Sequence, residues 1–266
     1  MYDCFSRKIN YLRVSVTDRC NFRCTYCMPA EGVELLKHDD ILSFDEIVET
    51  ITYGVSQGIT KVRLTGGEPL VRKGIVNLVQ MISSIKGITD LSMTTNGVLL
   101  AELAPALKDA GLQRVNISLD TLDPDRFKQI TRLGNLQDVL NGIEAAKKAG
   151  LTPIKLNCVV KNSGQEPDAQ MVTRFANEND LQVRYIHEMD LAKGTFSVVE
   201  GGEGGNCAIC NRLRLTANGN IMPCLFSNKG YNIRELGIED AYHQALLKKP
   251  KSGKVNNQGK FYNIGG

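Results

Sequence analysis

Six short segments in which apolar and polar residues alternate, most of them followed by a stretch with helical spacing, fill the first 190 residues of this chain. That order predicts a parallel sheet or barrel, because parallel neighbours need a crossover long enough to hold a helix. The expected strands are 12–17, 61–65, 91–95, 114–119, 153–160 and 182–187. Helices are expected over 44–57, with Ser43 as N-cap, then over 75–85, 101–110, 136–149 and 169–179.

Successive strand residues face opposite sides, so each strand divides into two rows. One row reads Leu12, Val14 and Val16, then Val62 and Leu64, Leu91 and Met93, Val115, Ile117 and Leu119, and suits packing against outer helices. The other is polar throughout: Arg13, Ser15 and Thr17, Lys61, Arg63 and Thr65, Ser92, Thr94 and Asn96, Asn116, Ser118 and Asp120, Lys155 and Asn157, with Arg184 on the sixth strand. A buried parallel sheet is ordinarily apolar on both faces. An antiparallel sheet with one side in water would also be polar on one face, but the helix-length connections argue against it. Arg13, Lys61, Arg63, Lys155 and Arg184 facing one cavity are costly to bury unless an anion offsets them. The pattern therefore predicts a ligand with several negative charges. Six units leave a barrel incompletely closed, and parallel barrels place their chemistry at the C-terminal strand ends.

The 266 residues are 42% hydrophobic and 23% charged, ordinary for a globular protein, and the net charge of +3 is too small to imply nucleic acid or membrane binding. No stretch approaches a spanning helix, and the first residues lack the apolar core of a signal peptide, so the expected location is cytoplasmic. Six of the eight cysteines fall in two tight groups, which favours metal binding over disulfides. Cys4 and Cys158 are left as ordinary thiols.

Cys20, Cys24 and Cys27 form a C-x3-C-x2-C array directly after the first strand. Three thiolates can hold three irons of a four-iron cluster and leave the fourth iron open to a substrate or cofactor. A structural zinc site would want four ligands, and neither Cys4 nor His38 completes a familiar spacing. Cys207, Cys210 and Cys224 form a second set, C-x2-C-x13-C, with Arg212 and Arg214 just after its second cysteine. Here too the fourth zinc ligand is missing, since His187 and His243 lie at no motif spacing. Gly66, Gly67, Glu68 and Pro69 follow the second strand, where glycine permits close backbone approach to a ligand. No Ser/His/Asp or paired-carboxylate constellation stands out.

The array with Tyr26 inside it, the Gly-Gly-Glu-Pro segment, and the strand-end segments Thr94–Gly97 and Asn116–Asp120 resemble the radical S-adenosylmethionine (SAM) enzymes. With the second cysteine set, the paired arginines and the terminal Gly265-Gly266, almost the whole chain resembles the GTP 3′,8-cyclase (MoaA) family of molybdenum cofactor biosynthesis. The resemblance implies an incomplete (β/α)6 barrel over residues 1–192 and a C-terminal extension over 193–266 carrying an auxiliary cluster. It implies two [4Fe-4S] clusters, one on Cys20, Cys24 and Cys27 and one on Cys207, Cys210 and Cys224. SAM would be bound by Tyr26, Gly67, Glu68, Thr95 and Ser118. GTP would be held by Arg13, Lys61, Arg63, Lys155, Arg184, Arg212 and Arg214, with the tail Gly265 and Gly266 entering the site. In the family, reductive cleavage of SAM gives a 5′-deoxyadenosyl radical, which removes the 3′ hydrogen of GTP before the ribose closes onto C8. The implied partners are an electron donor protein and a downstream enzyme that forms cyclic pyranopterin, with no nucleic acid or membrane, and a homodimer is left open.

Two departures bear on the substrate side. Only residues 190–206, including the glycine-rich Glu200–Gly205, separate the strand-six end from Cys207, too few for the strands and helix usual there. The family commonly carries an acidic-then-aromatic pair before Met-Asp, where this chain has His187 and Glu188. The alternatives are a radical SAM paralogue acting on another nucleotide or nucleoside, a peptide-modifying radical SAM enzyme, and a noncatalytic metal-binding protein. The second would want more than 19 residues before Cys20, and the third leaves Gly-Gly-Glu-Pro and the cationic row without a purpose.

Overall fold

The computed structural model describes residues 1–257 and Ile264, and its spine is one nine-stranded sheet. Strands β1 (Tyr11–Ser15), β2 (Lys61–Thr65), β3 (Asp90–Thr95), β4 (Arg114–Ser118), β5 (Lys155–Val160) and β6 (Gln182–His187) are parallel and stand side by side in chain order. On the free side of β1 the sheet continues through β7 (Arg212–Leu215), also parallel to β1, then β8 (Asn220–Met222) and β9 (Tyr231–Asn232), which pair antiparallel. The order β6-β5-β4-β3-β2-β1-β7-β8-β9 ends at β6 and β9 without closing, so the architecture is an open partial barrel.

The crossovers are α1 (Phe44–Ser56), α2 (Ile75–Ser83), α3 (Leu100–Asp109), α4 (Pro124–Thr131), α5 (Leu136–Lys148) and α6 (Pro167–Glu178), followed by α7 (Ile233–Leu236) and α8 (Ile238–Leu247). Ser43 caps α1 in a full capping box, its hydroxyl accepting from the Glu46 N–H while the Glu46 carboxylate accepts from the Ser43 N–H. Asp123 and Asn135 cap α4 and α5 through their side-chain oxygens. Leu12, Val14, Val62, Leu64, Met93, Val115, Ile117 and Leu156 are all fully buried against these helices. At roughly 1.5–3 kcal/mol for each such side chain, this outer row supplies much of the drive for folding.

Most expected boundaries hold to within one residue, and four shift by two, two of these for a plain local reason. β5 begins at Lys155, not 153, because Pro153 has no N–H to give a ladder. α6 begins earlier, at Pro167, because proline is pre-set for the first helical turn. α2 ends at Ser83, and β1 at Ser15. Helix α4 went unanticipated because it is only eight residues long and mostly polar, burying only Phe127 and Thr131. No helix among the described residues is long and apolar enough to cross a membrane.

Candidate active site

Cross-strand register assembles the polar row into the wall of a cavity. Arg214, Arg13, Arg63, Ser92 and Arg114 are successive partners across β7, β1, β2, β3 and β4. The next row towards the strand N-termini is Arg212, Tyr11, Lys61 and Asp90. Lys155 and Arg184 join from β5 and β6. The cavity has a volume of about 510 Å³ and is lined by all seven cations expected for GTP, by Arg114, and by Cys207, Cys210 and Cys224. Burial, reinforced by repulsion from neighbouring guanidinium groups, lowers the pKa values of Arg13, Arg63, Lys155 and Arg184, and pushes Arg214 down to about 10.

The carboxylates of this cavity do not balance those charges. Asp90 is engaged by Arg114, whose Nε and Nη2 donate to its two oxygens at 3.0 and 2.6 Å. Buried Nε atoms of Arg184 and Arg212 have no hydrogen-bond partner among the described residues. Tyr11 lies under the guanidinium groups of both Arg63 and Arg212, each 5.6 Å from the ring centroid. Arg114 faces the cavity on the same alternation as Asn116 and Ser118, so extending that row by one residue would have found it. The carbonyl of Ile264 accepts from Arg214 Nη1 at 3.5 Å. Gly265 and Gly266, expected as the tail, lie outside the described residues.

A second cavity, about 230 Å³, opens at the C-terminal strand ends and is lined by Cys20, Cys24, Cys27, Tyr26, Gly67, Glu68, Thr95, Ser118 and Asp120. Every residue expected for SAM is therefore on its wall. The Glu68 carboxylate accepts from Thr95 Oγ1 at 2.7 Å, Asn96 N at 2.6 Å and Leu70 N at 3.0 Å. Burial outweighs these donors and raises Glu68 to about 7. Gly67 is required here, since a Cβ would stand 2.4 Å from the carbonyl oxygen of Arg19. That close approach lets the Gly67 and Glu68 N–H groups donate to Thr17 O and Arg19 O at 2.8 Å, tying the glycine turn to the cysteine loop.

Asp120, not singled out from the sequence as a site residue, accepts from the Tyr26 hydroxyl at 2.8 Å and from Val159 N at 2.8 Å. Burial lifts it to about 6. Asn157, Ile186, His187 and Met189 line both cavities, which adjoin through them. His187 Nε2 is 2.9 Å from Glu200 Oε1 on the short linker, so His187 is not drawn to the cysteines as a ligand. His243 is exposed on α8. The linker itself bridges to β6 at Tyr185 and lines the larger cavity through Phe196, Val199 and the Gly201–Gly205 run.

The donor sets fit iron–sulfur clusters. Burial pushes the Cys20 and Cys27 thiols up to about 11, and raises Cys24 further, so these sulfurs ionise only beside a positive centre. Backbone N–H groups of Phe22 and Phe226 point at Cys20 Sγ and Cys224 Sγ, both at 3.4 Å, as expected for thiolates that carry negative charge.

Comparison with known proteins agrees with this geometry. The Radical SAM superfamily model matches residues 14–168 and the Molybdenum Cofactor Synthesis C model matches residues 160–260. A GTP 3′,8-cyclase of Petrotoga mobilis is 40% identical, covering 95% of this chain and 94% of its own length. That of Moorella thermoacetica is 44% identical, covering 97% and 96%. This chain belongs to the GTP 3′,8-cyclase family of radical SAM proteins. The two alignments extend over 304 and 310 positions, longer than the chain itself, so roughly fifty positions in each face no residue here. Among solved structures, Streptococcus suis SuiB bound to the precursor peptide SuiA superposes with a TM-score of 0.66 at 15% identity, over 93% of this chain and 66% of that one. At that identity the likeness is one of fold.

Proposed function

We propose that this family member converts GTP to (8S)-3′,8-cyclo-7,8-dihydroguanosine 5′-triphosphate, the first step of molybdenum cofactor biosynthesis. One observation carries the proposal: two adjoining cavities, each rimmed by three cysteines, one holding buried carboxyl groups and the other a surplus of buried cations. SAM and an iron–sulfur cluster are the cofactors of the superfamily, and the second cluster, on Cys207, Cys210 and Cys224, is part of the proposal. Cys20, Cys24 and Cys27 would hold the cluster that supplies the electron for SAM cleavage.

The protein's own part is positioning and exclusion. Glu68, raised to about 7 in its dry site, gains a counter-ion when the SAM ammonium enters and then ionises fully. Tyr26 is fixed over the cavity by Asp120, and Thr95 is fixed by Glu68. In the larger cavity, Arg13, Lys61, Arg63, Lys155, Arg184, Arg212 and Arg214 meet the triphosphate or ribose, and guanidinium groups suit the phosphate oxygens through charge-assisted pairs. No side-chain base is needed to start the reaction, which suits the lack of a general-base constellation. Domain limits near residue 192, an electron donor protein, a downstream pyranopterin-forming enzyme and a homodimer are further parts of this proposal.

Anaerobic reconstitution with iron and sulfide, then SAM, a reductant and GTP, with products read by mass spectrometry, tests the reading. The expected products are 5′-deoxyadenosine and the cyclised nucleotide. Deoxyadenosine without a cyclised nucleotide would defeat the substrate assignment and favour the nucleotide paralogue.

A further inference from the structure

A buried lysine stands behind the second cysteine set, and nothing above assigns it a role. Lys249 follows the end of α8 and is 3% exposed, an unusual position for a lysine without dedicated partners. Its Nζ donates to Cys210 Sγ at 3.4 Å, Arg212 O at 2.8 Å and Pro223 O at 2.8 Å. An ammonium has three hydrogens, so these contacts use its whole donor capacity.

The three acceptors lie on two different segments. Cys210 and Arg212 belong to the stretch entering β7, and Pro223 immediately precedes Cys224. The β7–β8 ladder pairs Arg214 with Met222 and Leu215 with Ile221, so both cysteine-bearing ends lie beyond its recorded pairs. One side chain therefore joins the ends that the hairpin leaves unpaired. Arg7 holds the same assembly from the N-terminal side. Its Nε donates to Asp3 Oδ2 at 2.6 Å, its Nη1 to Cys207 O at 2.7 Å and Lys251 O at 3.0 Å, and its Nη2 to Pro250 O at 2.7 Å. Arg7 thus ties the chain just after Lys249 to the carbonyl of the first cysteine in the set.

We propose that Lys249 is the positioning residue of the auxiliary iron–sulfur site, spacing Cys210 and Cys224 for the cluster and donating a hydrogen bond to a ligating sulfur, with Arg7 as its anchor. Partners of this kind set ligand orientation and metal affinity, and hydrogen bonds to sulfur tune cluster potential. The inference rests on the reading of Cys207, Cys210 and Cys224 as cluster ligands.

The test uses the full chain with Cys20, Cys24 and Cys27 replaced by Ala, so that only the second set can take up a cluster. Iron and sulfide per chain, the electron paramagnetic resonance spectrum after reduction, and the rate of iron loss to a chelator are measured after anaerobic reconstitution. Lys249→Met is expected to lose iron about 10- to 100-fold faster than the parent background, the usual scale for a partner of a metal ligand, and to shift the spectrum. Lys249→Arg, which keeps a cation beside the sulfur, is expected to fall between the two. Lys249→Gln, which keeps an N–H donor for the carbonyls but no charge, replaces Lys249→Met if that variant fails to fold. Iron loss at the parent rate with an unchanged spectrum would overturn the inference. A parent background that takes up no iron at all would instead overturn the auxiliary-cluster reading beneath it.

Discussion

The two cysteine sets differ in what surrounds them more than in what they contain. Around Cys20, Cys24 and Cys27 the charged groups within the cavity are acids, and Glu68 and Asp120 are raised to about 7 and about 6 by burial. Around Cys207, Cys210 and Cys224 they are overwhelmingly bases. Burial works to raise Cys210, but the Lys249 ammonium and the Arg212 N–H outweigh it, and its thiol is held below the ordinary range. The same three-thiolate chemistry is therefore set in opposite fields. The first suits a ligand with an ammonium group, and the second suits a polyanion.

Replacing each set in turn is the strongest way to break this comparison. Cys20, Cys24 and Cys27 changed to Ala together should abolish 5′-deoxyadenosine formation altogether. Cys207, Cys210 and Cys224 changed to Ala should leave deoxyadenosine forming while the cyclised nucleotide disappears. Equal loss of deoxyadenosine in both variants, followed by chromatography, would remove the division of labour.

A smaller effect is expected within the cationic wall. Arg184→Ala should weaken GTP binding about 10- to 100-fold, since a hydrogen bond to a charged group contributes roughly 1.5–3 kcal/mol. Its ligand-free thermal midpoint should hold, because the lost guanidinium has an unpartnered Nε and is repelled by Arg63 and Arg114. Calorimetry with GTP and with guanosine separates the phosphate share of the loss. A fall in guanosine binding as large as in GTP binding would count against a phosphate contact.

The smallest effect is a pH dependence in the acidic cavity. With its pKa raised to about 7, Glu68 is protonated below that value in the ligand-free protein. A cationic ligand needs the carboxylate, so SAM affinity should rise as pH increases through about 7 and then level off. Glu68→Gln should flatten the profile. A titration in which affinity falls over that interval would reverse the assignment.

Strand alternation made the cationic wall legible in the sequence, because a period of two survives in Arg13, Ser15, Arg63 and Thr65 whatever the loops do. The glycine turn and the first cysteine loop were legible for the same local reason. The roles of Asp120, though it stands on the polar row, and of Lys249 were not, since each acquires its meaning from a partner far away in the chain, Tyr26 for one and Cys210 with Pro223 for the other. Nor was the manner in which the C-terminal segment attaches. Short strands β7 to β9 carry too few residues to show a period, and only pairing with β1 places Arg212 and Arg214 beside Arg13.

All of this requires the occupants of the two cavities to meet across the wall shared by Asn157, Ile186, His187 and Met189. Turnover of GTP deuterated at the ribose 3′ position tests that requirement directly, with 5′-deoxyadenosine analysed by mass spectrometry. Transfer of one deuterium into 5′-deoxyadenosine is the predicted result. Unlabelled 5′-deoxyadenosine formed alongside untouched GTP would contradict it.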